Sequence, residues 1–268
     1  AKRIAHTVDR LLCFFPFEPP LFNRFAAART EFLGHPLADL IPSGIDCRPL
    51  AQELSLRPED RLLLLAPGSR EREITLLLPV FDRAVELARP RLRTPSGRTV
   101  VVIAKAPEHP RELYRQASDH PLVEGHYRAL CARAHVALIA SGTATLEAAI
   151  LGLPHIIAYR TDPLSARIAR HVLLVKHIGL PNLVHGHRVC PEVLQDQLTA
   201  ERLAAHLIRL WDGNARDACV ATLRTTRTAL GGGGAMARIA EAVNEEMIRG
   251  QRAPEDLPRP SRRRPPSE

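Results

Sequence analysis

No apolar stretch in this sequence reaches the roughly 18–20 residues that a membrane-crossing helix needs, so any membrane contact is expected to be peripheral. The opening AKRIAHTVDRLLCFFPFEPP makes a poor secretory signal, because Asp9 interrupts it and prolines follow. A start at Ala1 rather than Met points to a processed or cut N-terminus. Cysteine is sparse as well: Cys13, Cys47, Cys131, Cys190 and Cys219 are odd in number and dispersed. That excludes a dense disulfide scaffold and paired metal-ligand spacing, and leaves reduced packing thiols in a cytosolic setting as the expectation. Several catalytic signatures are missing too. Without GxGxxG a nicotinamide oxidoreductase is disfavoured, and without GxSxG no serine, acid and histidine series can be assembled. His109, His120, His126 and His135 lack an HExxH-like arrangement, so structural or surface roles are expected and no metal site. There is no internal repeat.

What remains is a chain of 268 residues, 45% hydrophobic, with enough apolar material for a compact domain and an appendage. The net charge is +8, and part of the excess sits in a Pro-rich tail at Arg262, Arg263 and Arg264. Such a field attracts nucleic acid, anionic lipid or a phosphorylated small molecule, although an ordinary solvated surface accounts for it more simply.

Leu62 to Leu65 is a continuous apolar run, as expected of a strand covered on both faces in a parallel α/β sheet. After Ser69, the positions Ile74, Leu77, Leu78, Phe81, Val85 and Ala88 recur on one helical face, and Pro79 marks a kink or a loop-to-helix transition. Further strands are predicted at Leu11 to Phe17, Glu31 to Leu33, Thr99 to Ala104, Val136 to Ala140 and His155 to Tyr159. Helices are predicted near Glu112 to Ala117, over Thr143 to Leu151, 164–175, Thr199 to Leu210, 214–230 and Ala235 to Ile248, and one short helix within the loop-rich 37–60. Leu180-Pro181-Asn182 reads as a turn, and Gly231 to Gly234 as a helix terminator rather than a hinge. The alternation of strand, turn and helix implies a doubly wound α/β domain.

Two strand-end loops carry the chemistry. Pro67-Gly68-Ser69-Arg70 would present backbone N–H groups and a guanidinium to phosphate oxygens, but it lacks the Walker Lys-Ser/Thr and by spacing alone fits an ordinary turn better. In Ser141-Gly142-Thr143, small residues allow close approach of a diphosphate to a helix N-terminus that Ser141 or Thr143 can cap. Glu147 lies about one turn farther along, where it can accept hydrogen bonds from sugar hydroxyls or remain a solvated glutamate. Asn182 either reads a polar ligand or ties down the proline turn, and Arg188 meets either phosphate or an acidic neighbour. Glu192 and Gln195 follow.

The stretches LCFFPFE, FLGHPLAD at 32–39, LLLLAPGSRERE at 62–73, ASGTATLEAAILGLPHIIAYR at 140–160 and VKHIGLPNLVHGHRVCPEVLQ at 175–195 resemble, in order and separation, the C-terminal part of lipid-A-disaccharide synthases. The resemblance implies a Rossmann-like parallel sheet of a GT-B glycosyltransferase, mainly its C-terminal half. It divides the chain into an interdomain or remnant N-terminal segment (1–40), a UDP-sugar-binding domain with terminal helices (41–248) and a disordered basic tail (249–268). It implies an inverting transfer of 2,3-diacylglucosamine from UDP to 2,3-diacylglucosamine 1-phosphate, giving a β-1,6-linked disaccharide and UDP, with no cofactor. By the same resemblance Gly68, Ser69, Arg70, Ser141, Gly142 and Thr143 border the UDP diphosphate and Glu147 its ribose. His35, Asn182, Arg188 and Gln195 are cleft candidates, His35 for positioning. The general base is expected in an N-terminal domain that this chain lacks, so its catalytic residue is unknown. Expected partners are the two lipid substrates, an anionic inner-membrane surface on the cytoplasmic side, a separate N-terminal half and a second copy, but not nucleic acid. Alternatives are a nucleotide-binding assembly module of a split enzyme, or a UDP-sugar transferase with another acceptor.

Overall fold

The structure, a computed structural model, describes residues 2–25, 29–160 and 177–252. The predicted helix at 164–175 lies outside the described residues, as does most of the predicted tail. Eight strands are formed among the described residues: β1 (Arg10–Cys13), β2 (Arg29–Phe32), β3 (Arg61–Ala66), β4 (Thr99–Lys105), β5 (Leu122–Glu124), β6 (Ala134–Ala140), β7 (His155–Tyr159) and β8 (Glu192–Leu194). The helices are α1 (Lys2–Ala5), α2 (Glu18–Asn23), α3 (Leu37–Leu40), α4 (Arg48–Glu53), α5 (Glu71–Ala88), α6 (Arg111–Arg115), α7 (Tyr127–Arg133) and α8 (Thr143–Ile150). After the undescribed stretch come α9 (Leu180–His185), α10 (Ala200–Trp211), α11 (Asn214–Leu223), α12 (Thr226–Ala229) and α13 (Ala235–Arg252).

β3 to β8 build one sheet in the order β5-β4-β3-β6-β7-β8, every neighbouring pair parallel. Counted from β3, this is the 3-2-1-4-5-6 order of doubly wound sheets, with its topological switch point between β3 and β6. The four leucines of β3 explain why the sheet is sandwiched. Side chains alternate across a strand, so Leu63 and Leu65 enter one core with Ile74, Phe81 and Leu207, while Leu62 and Leu64 enter a second with Leu50, Leu130 and Leu153. All four are fully buried. Helix α5 places its predicted apolar face, Ile74 to Ala88, into the first core and runs helically through Pro79.

β1 and β2 form a separate parallel pair, held to helix α13. Arg10 binds Glu31 on β2, and it also reaches the Ala242 carbonyl, Glu245 and Glu246 on α13. The glycine run makes this closure feasible. Gly231 has φ +89°, and a Cβ there would lie 2.9 Å from the Gly34 Cα, so the two backbones cross where side chains have no room. Asp39 then accepts hydrogen bonds from the Gly234 and Met236 amides at the start of α13.

Several local expectations need correction. Leu180-Pro181-Asn182 opens helix α9 instead of a turn, because proline is well suited to a first helical turn, where no amide is needed. The predicted 214–230 helix divides into α11 and α12. β1 stops at Cys13, well short of Phe17. Neither Ser141 nor Thr143 caps α8. Gly142 holds the N-cap position without a side-chain bond, and Thr145 Oγ1 donates back to its carbonyl. Thr199 caps α10, its hydroxyl accepting from the Arg202 amide.

Candidate functional site

Parallel strands deliver every following loop to one edge of the sheet, and at a switch point those loops diverge and leave a crevice. Here the crevice is a cavity of about 460 Å³ at the carboxyl ends of β3, β4 and β6. Gly68, Ser69 and Arg70 form one wall, and Ser141, Gly142 and Thr143 face them from the loop leading into α8. The volume falls in the range of small-molecule sites.

The first loop is shaped by Gly68. Its φ is +115°, and a Cβ on it would lie 2.9 Å from the Glu73 Cβ, so both conformation and space favour glycine. α5 begins directly afterwards, and its first-turn amides have no helical acceptor. Arg70 is largely exposed, and its Nη1 donates to Glu73 Oε1 at 2.9 Å. A carboxylate thus already rests against the arginine and the glycine turn. His109, from the loop after β4, donates from Nε2 to the Ser69 carbonyl at 2.9 Å and ties the two loops together.

Two wall residues escaped the sequence reading. Lys105 ends β4 with its side chain only 6% exposed, donating to Glu124 and to the Ala106 carbonyl. Its signal was a lone cation closing an apolar strand. Tyr127 donates its hydroxyl to the Ala144 carbonyl, fixing the second loop, and burial pushes its pKa up so that the phenol keeps its proton.

The cavity does not gather all the predicted residues. Glu147 lies a turn into α8, outside the lining, and accepts from Arg128 Nε at 2.8 Å. His35 sits beside Phe14 and Phe15, its Nδ1 accepting from the Leu37 amide, and burial lowers its pKa. Asn182 is fully buried and therefore faces no cleft. Its carboxamide accepts from the Val189 and Cys190 amides and donates to the Cys190 carbonyl and Glu192. Arg188 lines a different hollow, on the segment before β8, with Nη2 donating to the Glu192 carbonyl. Gln195 opens a short 3-10 turn with φ +50°. Among the described residues, no group of three His, Cys, Asp or Glu is placed to hold a metal, and no helix is long and apolar enough to cross a membrane.

Comparison with known proteins matches residues 1–243 to the family described as lipid-A-disaccharide synthetase. The chain belongs to that family. A lipid-A-disaccharide synthase of Dechloromonas aromatica is 36% identical over 217 residues, covering 79% of this chain and 56% of that protein. One from Anaeromyxobacter dehalogenans is 35% identical over 248 residues, 91% and 64% of the two chains. The chain therefore spans less than two thirds of these family members. A crystal structure of a glycosyltransferase from Rickettsia africae superposes with a TM-score of 0.57 at 11% identity, covering 92% of this chain and 66% of that one. Together with the sheet order, this gives the family member a parallel core flanked by helices, as in GT-B glycosyltransferases.

Proposed function

We propose that this chain is the nucleotide-sugar-binding half of a lipid-A-disaccharide synthase and holds the UDP of UDP-2,3-diacylglucosamine in the switch-point cavity. The observation that carries the reading is the convergence of Gly68-Ser69-Arg70 and Ser141-Gly142-Thr143 on one crevice at the start of two helices. A diphosphate there would meet the amide-bearing starts of two helices and a cation. The Arg70–Glu73 pair is solvent-exposed and so weakly held, which lets an incoming diphosphate take over the guanidinium. Glu147, released from Arg128, is the proposed ribose contact.

In the reaction, the acceptor hydroxyl of 2,3-diacylglucosamine 1-phosphate attacks the anomeric carbon. A carboxylate takes its proton, and the glycosyl–phosphate bond breaks to release UDP with inversion. The cavity stabilises the leaving diphosphate. Among the described residues the one carboxylate on its wall, Glu73, is already paired with Arg70, and the base is assigned to the remainder of the enzyme. Exposed apolar side chains at Phe14 and Leu21, and at Val243 and Met247 on α13, offer that remainder a surface. Acyl-bearing substrates place the work at the cytoplasmic face of the inner membrane.

Calorimetric titration with UDP should show saturable binding, weakened about ten-fold by Arg70→Ala, as expected for loss of a charge-assisted hydrogen bond. A folded protein without UDP affinity would overturn the reading. Labelled disaccharide made by this chain alone would instead overturn the placement of the base.

A further inference from the structure

The second hollow, of about 340 Å³, lies away from the UDP cavity. Its entrance residues His187 and Arg188 precede β8, and in an all-parallel sheet the chain enters a strand at the edge opposite the carboxyl ends. The other walls come from α10, which contributes His206 and Arg209, and from one face of α11, from Ala215 to Thr222. Two arginines and two histidines line this space, and none of the lining residues is acidic. Among the described residues no carboxylate is within ion-pair distance of Arg188, Arg209 or His206, whereas Arg61, Arg70, Arg98 and Arg128 each have one. Arg188 is anchored by one nitrogen to the Glu192 carbonyl, which limits how far its remaining donors can swing. Val189 and Leu210 supply apolar wall between the cations.

Clustered like charges are costly unless an anion joins them, since each disfavours the others' charged form. His206 records that cost. Burial lowers its pKa, and Arg188 on the neighbouring segment with Arg209 and Arg202 on its own helix lower it further, while α11 offers only the Cys219 thiol at the hollow.

We infer that this hollow is an anion site for a phosphoryl group, carried either by a free phosphate compound or by the headgroup of an anionic lipid. The inference is independent of UDP binding at the other edge. Arg188 and Arg209 supply the charge-assisted donors, and His206 joins them by taking up a proton as the anion binds. For an anion of fixed charge, binding therefore strengthens as pH falls towards the histidine range.

The test uses the whole chain and the Arg188→Ala/Arg209→Ala double variant, with Arg91→Ala/Arg224→Ala as a control of equal net charge. Inorganic phosphate is titrated while the His206 ring is followed by NMR. In parallel, binding is measured to vesicles of equal parts phosphatidylglycerol and phosphatidylcholine and to phosphatidylcholine alone. Phosphate binding that raises the His206 pKa, and that the double variant weakens about ten-fold or more, supports a soluble phosphoryl ligand. Binding to the phosphatidylglycerol vesicles alone, lost in the double variant but kept in the control, supports a lipid headgroup. Equal loss in the control and the double variant, or no effect of either on phosphate and vesicles, overturns the site. UDP affinity should be unchanged in the double variant, so a failure at one edge is distinguishable from a failure at the other.

Discussion

Replacing Asn182 tests whether the LPN segment acts by touching a ligand or by holding the chain together. The carboxamide is fully buried and makes four bonds of 2.7–2.9 Å. Asn182→Ala leaves the Val189 and Cys190 amides without an acceptor and removes a donor from the Glu192 carboxylate. Each orphaned buried group costs about 1–3 kcal/mol, so with partial relaxation the total is about 3 kcal/mol or more. At about 2–4 °C per kcal/mol for a chain of this size, the melting temperature should fall by about 6–12 °C. Asn182→Asp keeps the shape but exchanges the donor facing Glu192 Oε1 for a second carboxylate oxygen. Two such groups repel unless they share a proton, so this variant should be at least as unstable, with a deficit that grows as pH rises above the unfolded carboxylate value of about 4. Calorimetric melting of both variants, with UDP titration well below the lower melting point, separates the roles. Unchanged melting with lost UDP affinity would refute the structural role and return Asn182 to the ligand.

His155 is fully buried, its Nε2 has no partner among the described residues, and burial lowers its pKa from 6.5 to about 4. The unfolded chain gains that proton first, so the stability it contributes is complete above 6.5 and is lost as pH falls towards 4; urea midpoints at pH 7 and pH 5 should separate more in the parent than in His155→Leu. Asp60 runs by the same linkage at lower pH. Amide bonds from Arg57 and Arg98 and the Arg98 guanidinium hold its pKa at about 2 against 3.8, so its contribution is present above 3.8 and disappears as pH falls to about 2, a slope that Asp60→Asn should abolish in acid melts. Gly68→Ala should lose about 1–2 kcal/mol and weaken UDP binding, and removing the Glu73 carboxylate in Gly68→Ala/Glu73→Ala should recover part of the stability in a chemical melt but neither the 2.9 Å approach to the Cβ of residue 73 nor the strain of a positive φ.

Much of the central sheet was legible because buried parallel strands appear as unbroken apolar runs, as at Leu62 to Leu65 and Val136 to Ala140. β5 and β8 have three residues each, too short for any periodicity to show. The positions of the two strand-end loops were legible because glycine and small residues follow an apolar run there, whereas spacing alone did not separate a ligand loop from an ordinary turn. Lys105 and Tyr127 could not, since each reaches the cavity by tertiary placement from β4 and α7. Arg188 shows the converse. Its charge was visible, but strand direction, which sends it to the opposite edge from the cavity, emerges only from the pairing of β7 with β8.

The Arg10 clasp has a consequence for how the chain is made. Its partners Glu245 and Glu246 lie 235 and 236 residues downstream. At about 5–20 residues per second, roughly 12–47 s of synthesis separates the emergence of β1 from that of the helix that neutralises it. During that interval the α/β sheet can assemble as a unit while the β1–β2 pair waits with a guanidinium half-satisfied by Glu31. Helix α13 thus completes strands made some 235 residues earlier, and the clasp is expected among the late contacts to form.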